Sequence, residues 1–240
     1  MVSKTRLLEL VKAFDAPAVA RALAESPALL GVRDERGRTW LHLCCMRPAK
    51  TAAEAAASVT TADVLLAAGL DINDAAFTEG AWRATPLWCS IGRGRNLVLA
   101  EHLLKLGCDC EHCLWAAQFA RDVDAIRLLV RYGAKIDASH EEGTPFMAAI
   151  KWSHFAEAEV FLEFGADVDI KDAAGMTALH LLLKKGSDKA HLEMLIRRGA
   201  RGDIPGPDGQ TAIDVLRRKR DPEFRALAEI LAGRASLAPA

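Results

Sequence analysis

Residues 144–180 read TPFMAAIKWSHFAEAEVFLEFGADVDIKDAAGMTALH. A threonine opens a short apolar helix with proline in its first turn, where the missing N–H costs nothing. A polar break at Ser153-His154 follows, and then a second apolar segment stops at Gly165. A turn-rich Lys171-Asp-Ala-Ala-Gly175 leads to Thr177, where the pattern restarts 33 residues after Thr144. Such a unit cannot bury its apolar faces alone, so its neighbours must supply the rest of the core.

The unit recurs along the chain. Its opening tetrads are Thr39-Trp-Leu-His42, Thr85-Pro-Leu-Trp88, His112-Cys-Leu-Trp115, Thr144-Pro-Phe-Met147, Thr177-Ala-Leu-His180 and Thr211-Ala-Ile-Asp214. The second helices are expected to end at Gly69, Gly107, Gly133, Gly165, Gly199 and, loosely, Gly233. Six tetrads in phase, each with its glycine, make the sequence resemble the ankyrin-repeat family from Arg33 to about Gly233. The resemblance implies an all-α solenoid of stacked helix-turn-helix units with short β-hairpin fingers, used to bind other proteins. It also implies that His42 and His180, at the tetrad histidine position, bond neighbouring backbone in a structural role.

The expected division is one ankyrin-repeat domain over 1–240. It comprises an N-terminal helical cap (1–32), a repeat with an Ala-rich insert (33–70) and a repeat with a long finger (71–108). A short repeat lacking a finger (109–134), repeats at 135–166 and 167–200, a C-terminal capping repeat (201–234) and a frayed tail (235–240) follow. In the cap, Lys4 to Phe14 has helical periodicity, and Asp15 with Pro17 starts a second helix carried to Gly31. The insert, from Arg47 to Ser58, is rich in alanine and predicts a helix rather than a loose loop. Gly107 to His112 is only five residues, which deletes a finger.

Composition excludes several classes. The formal net charge is -1, so no global field draws the chain to nucleic acid or membrane. Charges between Met1 and Pro17 break any leader-like apolar run, and no apolar stretch is long enough to span a bilayer. A cytoplasmic, monomeric protein is the expectation. Its six cysteines are then read as free thiols. Phosphate-cradling glycine loops, H-E-x-x-H and G-x-S-x-G are missing. Neither enzymatic activity nor a cofactor is expected. The Ala/Arg/Gly bias is compatible with a GC-rich, bacterial genome, so an effector acting on a host protein is an alternative.

Placing the repeats in register gives the candidate binding residues. In proteins of this family the fingers and exposed first-helix ends line a concave face. The seventh and eighth positions after the opening threonine fall there: Met46/Arg47, Gly92/Arg93, Phe119/Ala120, Lys151/Trp152, Lys184/Lys185 and Arg218/Lys219. Cations at helix C-termini also suit the helix dipole; that accounts for the charges but not for Phe119 or Trp152. Arg47, Arg93, Phe119, Lys151, Trp152, Lys184, Lys185, Arg218 and Lys219 are therefore read as a basic row with aromatics, gripping an acidic segment of a partner protein. Polyanion or nucleic-acid binding through the same row is the alternative. Phe77 and Trp82 in the long finger are a second candidate anchor, or else cover the insert.

Cys108, Cys110, His112 and Cys113 supply four zinc-type ligands within six residues. Ligands so close cannot all turn to one point. Repeat alignment instead puts Cys108, Cys110 and Cys113 at small buried positions, so no metal is expected.

Overall fold

A computed structural model describes residues 2–79, 82–139 and 143–235. The chain resolves into two compact units, Met1–Lys135 and Ile136–Ala240, each taken by itself below.

The first unit opens with α1 (Lys4–Ala13) and α2 (Ala16–Glu25), capped by the Ser3 hydroxyl on the Arg6 N–H and the Asp15 carboxylate on the Ala18 N–H. The second helix stops short of the expected Gly31. Pro27 disfavours helical backbone at Ser26, and a separate 3-10 turn (Pro27–Leu29) follows. Next come α3 (Trp40–Cys45) and α4 (Ala52–Ala67); the Ala-rich insert is helical from Ala52 on, continuous with the repeat's second helix, while 47–51 is irregular rather than helical as expected. The long finger forms a two-stranded antiparallel hairpin, β1 (Thr78–Glu79) on β2 (Trp82–Arg83). The unit ends with α5 (Pro86–Cys89), α6 (Leu97–Lys105), α7 (Cys113–Ala120) and α8 (Val123–Arg131).

First helices stack on first helices (α1 on α3, α3 on α5, α5 on α7), and second helices on second helices (α2 on α4, α4 on α6, α6 on α8). This arrangement seals the apolar faces the sequence could not bury within one repeat. Leu7, Val11, Trp40, Leu41, Leu65, Leu87, Ile91, Leu99, Leu103, Ile126 and Leu129 are fully buried.

One departure was not legible in the sequence. After α5 the helix widens into a π turn, Ser90–Gly94, before Arg95 turns left-handed at φ 48°. The turn brings Gly94 against the preceding repeat, where a Cβ would lie 2.1 Å from the Cys45 carbonyl oxygen. Only glycine permits that approach.

The second unit repeats the plan with α9 (Pro145–Trp152), α10 (Phe155–Glu163), α11 (Ala178–Lys185), α12 (Lys189–Arg197), α13 (Ala212–Arg217) and α14 (Pro222–Ala235). Here α9 packs on α11, α11 on α13, and α12 on α14. Phe146, Ile150, Phe161, Leu182, Leu195 and Leu216 are fully buried. Gly233 lies inside α14 rather than ending a helix. Residues 236–240, in the expected tail, lie outside the described residues.

Among the described residues, only the long finger pairs as two strands; the shorter ones close as turns. An aspartate helps close three of them, and in the last Pro205 and Thr211 also form an isolated antiparallel bridge. Asp34 accepts from the Arg36 and Arg38 N–H groups, Asp172 from Ala174 and Met176, and Asp208 from Gln210.

Candidate functional site

The residues in register fall at the C-terminal ends of first helices, and their local chemistry divides them. In the second unit, Lys185 reaches back from α11 to the end of α9. Its ammonium donates to the Lys151 carbonyl at 2.9 Å and to the Ser153 hydroxyl at 2.6 Å. The carbonyl is one of those the end of a helix leaves unsatisfied. Lys185 thus staples two repeats, and this contact puts the ends of α9 and α11 side by side. Lys151, Trp152 and Lys184 occupy those same ends and are exposed. Neither Lys151 nor Lys184 makes a side-chain hydrogen bond or ion pair among the described residues. Trp152 leaves 56% of its surface open.

The row continues onto α13. Arg218 donates to the Gln210 side chain at 2.7 Å. Lys219 is half-buried and lines a cleft with residues of the α11 end. Lys151, Trp152, Lys184 and Lys219 are therefore brought along three stacked helix ends, with Lys185 and Arg218 tied to the fold.

The first unit holds the remaining candidates. Arg47 is committed internally: its guanidinium sits 4.7 Å above the Phe14 ring and pairs with Glu54 at 3.4 Å. Arg93 is exposed at the end of the π turn. Arg95, two residues on, donates to the Ala120 carbonyl at 2.7 Å and staples the next repeat as Lys185 does. Phe119 is 54% exposed, its ring 5.9 Å from that of Trp115. Phe77 is half-buried beside the hairpin. Trp82 sits in β2, and its side chain lies outside the described residues.

The cysteines are held for packing. Cys108 and Cys113 are buried and Cys110 is half-buried. Burial pushes the Cys108 thiol up to about 12 and that of Cys113 well above its ordinary range. Cys44 and Cys89 are likewise pushed by burial to about 12, and Cys45 well above its ordinary range. No thiolate nucleophile results. His112 starts α7 in a left-handed conformation and supplies no side-chain cap. Among the described residues, no three or more His, Cys, Asp and Glu gather as a metal ligand set.

The tetrad histidines have the expected structural role. His42 Nε2 lies 3.0 Å from the Ala84 carbonyl oxygen, which only accepts, so Nε2 carries the proton. Nδ1 then accepts from the Thr39 N–H at 3.2 Å and hydroxyl at 2.8 Å. Burial lowers the ring's pKa and keeps this tautomer neutral. His180 repeats the geometry against Thr177 and the Gln210 carbonyl. Each histidine ties its helix to the start of the next repeat.

Among the described residues, no helix is long and apolar enough to cross a membrane. Comparison with known proteins agrees with the stacking. Residues 113–205 match the model of ankyrin repeats in three copies. The ankyrin repeat domain of Bcl-3, of the IkappaB protein family, is similar in structure (TM-score 0.72) at 21% identity, over 95% of this chain and 97% of that one. The human ASB11 ankyrin repeat domain gives a TM-score of 0.68 at 19% identity, over 92% and 96%. The expected ankyrin repeats are thus borne out over residues 113–205, and the all-α solenoid fold by the likeness to these domains. Ankyrin repeats are generally protein-interaction modules and typically non-catalytic.

Proposed function

We propose that this ankyrin-repeat chain binds a partner protein through the first-helix ends of its second unit, and that the recognised segment is acidic. The observation that carries the reading is Trp152, 56% exposed between the cation that precedes it and the adjacent helix end. A tryptophan left open at a helix end contributes little to folding, whereas desolvating one in an interface is among the largest single contributions to binding. Lys151 and Lys184, without ion pairs among the described residues, steer a carboxylate-bearing partner. Each exposed pair is worth no more than about 1 kcal/mol. Phe119 with Arg93 is a second candidate surface, in the first unit.

A paired pull-down tests the reading, with the native chain as one bait and a Lys151→Glu, Trp152→Ala, Lys184→Glu variant as the other. The expected result is a protein captured by the first and lost from the second, with equal helical circular dichroism. Capture unchanged by the substitutions would move the site elsewhere. Recovery of nucleic acid alone, released by moderate salt, would replace a protein partner with a polyanion.

A further inference from the structure

Beside the row, in the second unit, lies a cleft of about 190 Å³ that none of the fold's own side chains fills. Leu183 from the α11 end and Phe224 from the first turn of α14 give it apolar surface. The Gly186-Ser187 link between α11 and α12 borders it, as do Lys219, Arg220 and Asp221 between α13 and α14. A cavity of about 150 Å³ holds a benzene molecule. This cleft is therefore sized for one side chain, not for a helix or a strand.

The charges at its edge are unequal. The Asp221 Oδ1 atom accepts the Glu223 N–H at 2.8 Å, so its negative charge faces the start of α14. Lys219 and Arg220 make no side-chain hydrogen bond or ion pair among the described residues. The occupant that suits this edge carries an apolar group with carboxylates directly beside it.

We infer that the cleft is an anchor pocket for a single leucine-, methionine- or phenylalanine-sized side chain of an acidic segment, whose flanking carboxylates meet Lys219 and Arg220. This rests on the reading of the helix-end row as a protein interface and adds what that row selects for. The cations of the row set sign and approach, and the cleft sets which residue of the segment is buried.

Three capped pentapeptides test it by titration into the ¹⁵N-labelled full chain at low salt: Asp-Glu-Leu-Glu-Asp, Asp-Glu-Gly-Glu-Asp and Gly-Ser-Leu-Ser-Gly. The leucine-bearing acidic peptide is expected to shift the amides of Gly186, Ser187 and Phe224. It should bind about tenfold or more tightly than its glycine counterpart, since burying a leucine side chain is worth at least that much. A Lys219→Glu, Arg220→Glu variant with unchanged circular dichroism should lose the difference. Equal affinity of the two acidic peptides, with shifts at residues 151, 152 and 184 but none at the cleft, would overturn the anchor and leave the basic row standing. No shift along the row with any peptide would overturn both the anchor and the acidic-partner reading. Equal binding by the neutral leucine peptide would overturn the acidic occupant.

Discussion

Lys184 and Lys185 are adjacent, both are exposed and both carry one positive charge, yet the structure gives them opposite duties. Methionine at either position keeps the aliphatic stem and helix propensity while removing the charge. At position 185 it removes the donor to the Lys151 carbonyl and the Ser153 hydroxyl, two bonds of 2.9 and 2.6 Å. A bond to a charged group is worth about 1.5–3 kcal/mol when buried. These acceptors lie at a helix end that water can reach, so the loss falls to about 1 kcal/mol in total. In a chain of this size that lowers Tm by roughly 2–4 °C. Lys184→Met breaks no bond among the described residues and should stay within about 0.5 kcal/mol of the native protein. Partner capture should respond the other way: weakened by Lys184→Met, and affected by Lys185→Met only as far as its stability loss requires. Urea and thermal unfolding followed by circular dichroism, alongside the pull-down, read both effects. Equal destabilisation by the two variants, or none by Lys185→Met, would refute the division of the basic row into staples and free cations.

Gly94→Ala should cost about 2–3 kcal/mol in unfolding experiments, because its Cβ would collide with backbone at Cys45. Gly92→Ala meets only ordinary contacts at 3.5–3.6 Å and should be neutral or slightly stabilising. His42→Ala leaves the Thr39 N–H and the Ala84 carbonyl without their buried partner and opens a cavity. A loss of about 3 kcal/mol is expected in denaturant unfolding, partly recovered in His42→Gln. Under native conditions a thiol reagent should modify half-buried Cys110 first and Cys45 and Cys113 only on unfolding, as mass spectrometry of the labelled peptides would show. Burial opposes ionisation of Asp34, but bonds from the Arg38 side chain and the Arg36 and Arg38 N–H groups outweigh it and lower its pKa. Its stabilisation is therefore present above the ordinary aspartate range and lost as pH falls through the lowered value. The stability gap between the native chain and Asp34→Asn should narrow from pH 6 towards pH 3.

Much of the architecture was legible because the repeat is written in side chains with fixed local duties. Thr39, Thr85, Thr144, Thr177 and Thr211 mark helix starts because a β-branched hydroxyl there meets a free N–H. Gly69, Gly107, Gly133, Gly165 and Gly199 mark ends because all five sit at positive φ. The π turn at Ser90–Gly94 was not legible, since the close approach it accommodates, Gly94 on the Cys45 carbonyl, lies between repeats. The aspartates that help close the fingers, Asp34, Asp172 and Asp208, were not singled out, because the family pattern says nothing of such local bonds. At the site, exposed Trp152 and Phe119 followed from register alone. The sequence could not separate Lys185 and Arg95, whose charges end on carbonyls of another repeat, from Lys184 and Arg93. Nor could it foresee the cleft, which forms only where the α11 end and the α13–α14 turn meet.

The most direct test is an amide hydrogen-exchange footprint of the full chain with and without its captured partner. New protection is expected at residues 150–153, 183–187 and 216–224, with α12 unchanged. Protection confined to the long finger at residues 73–83, or to α12 and the C-terminal half of α14, would contradict it.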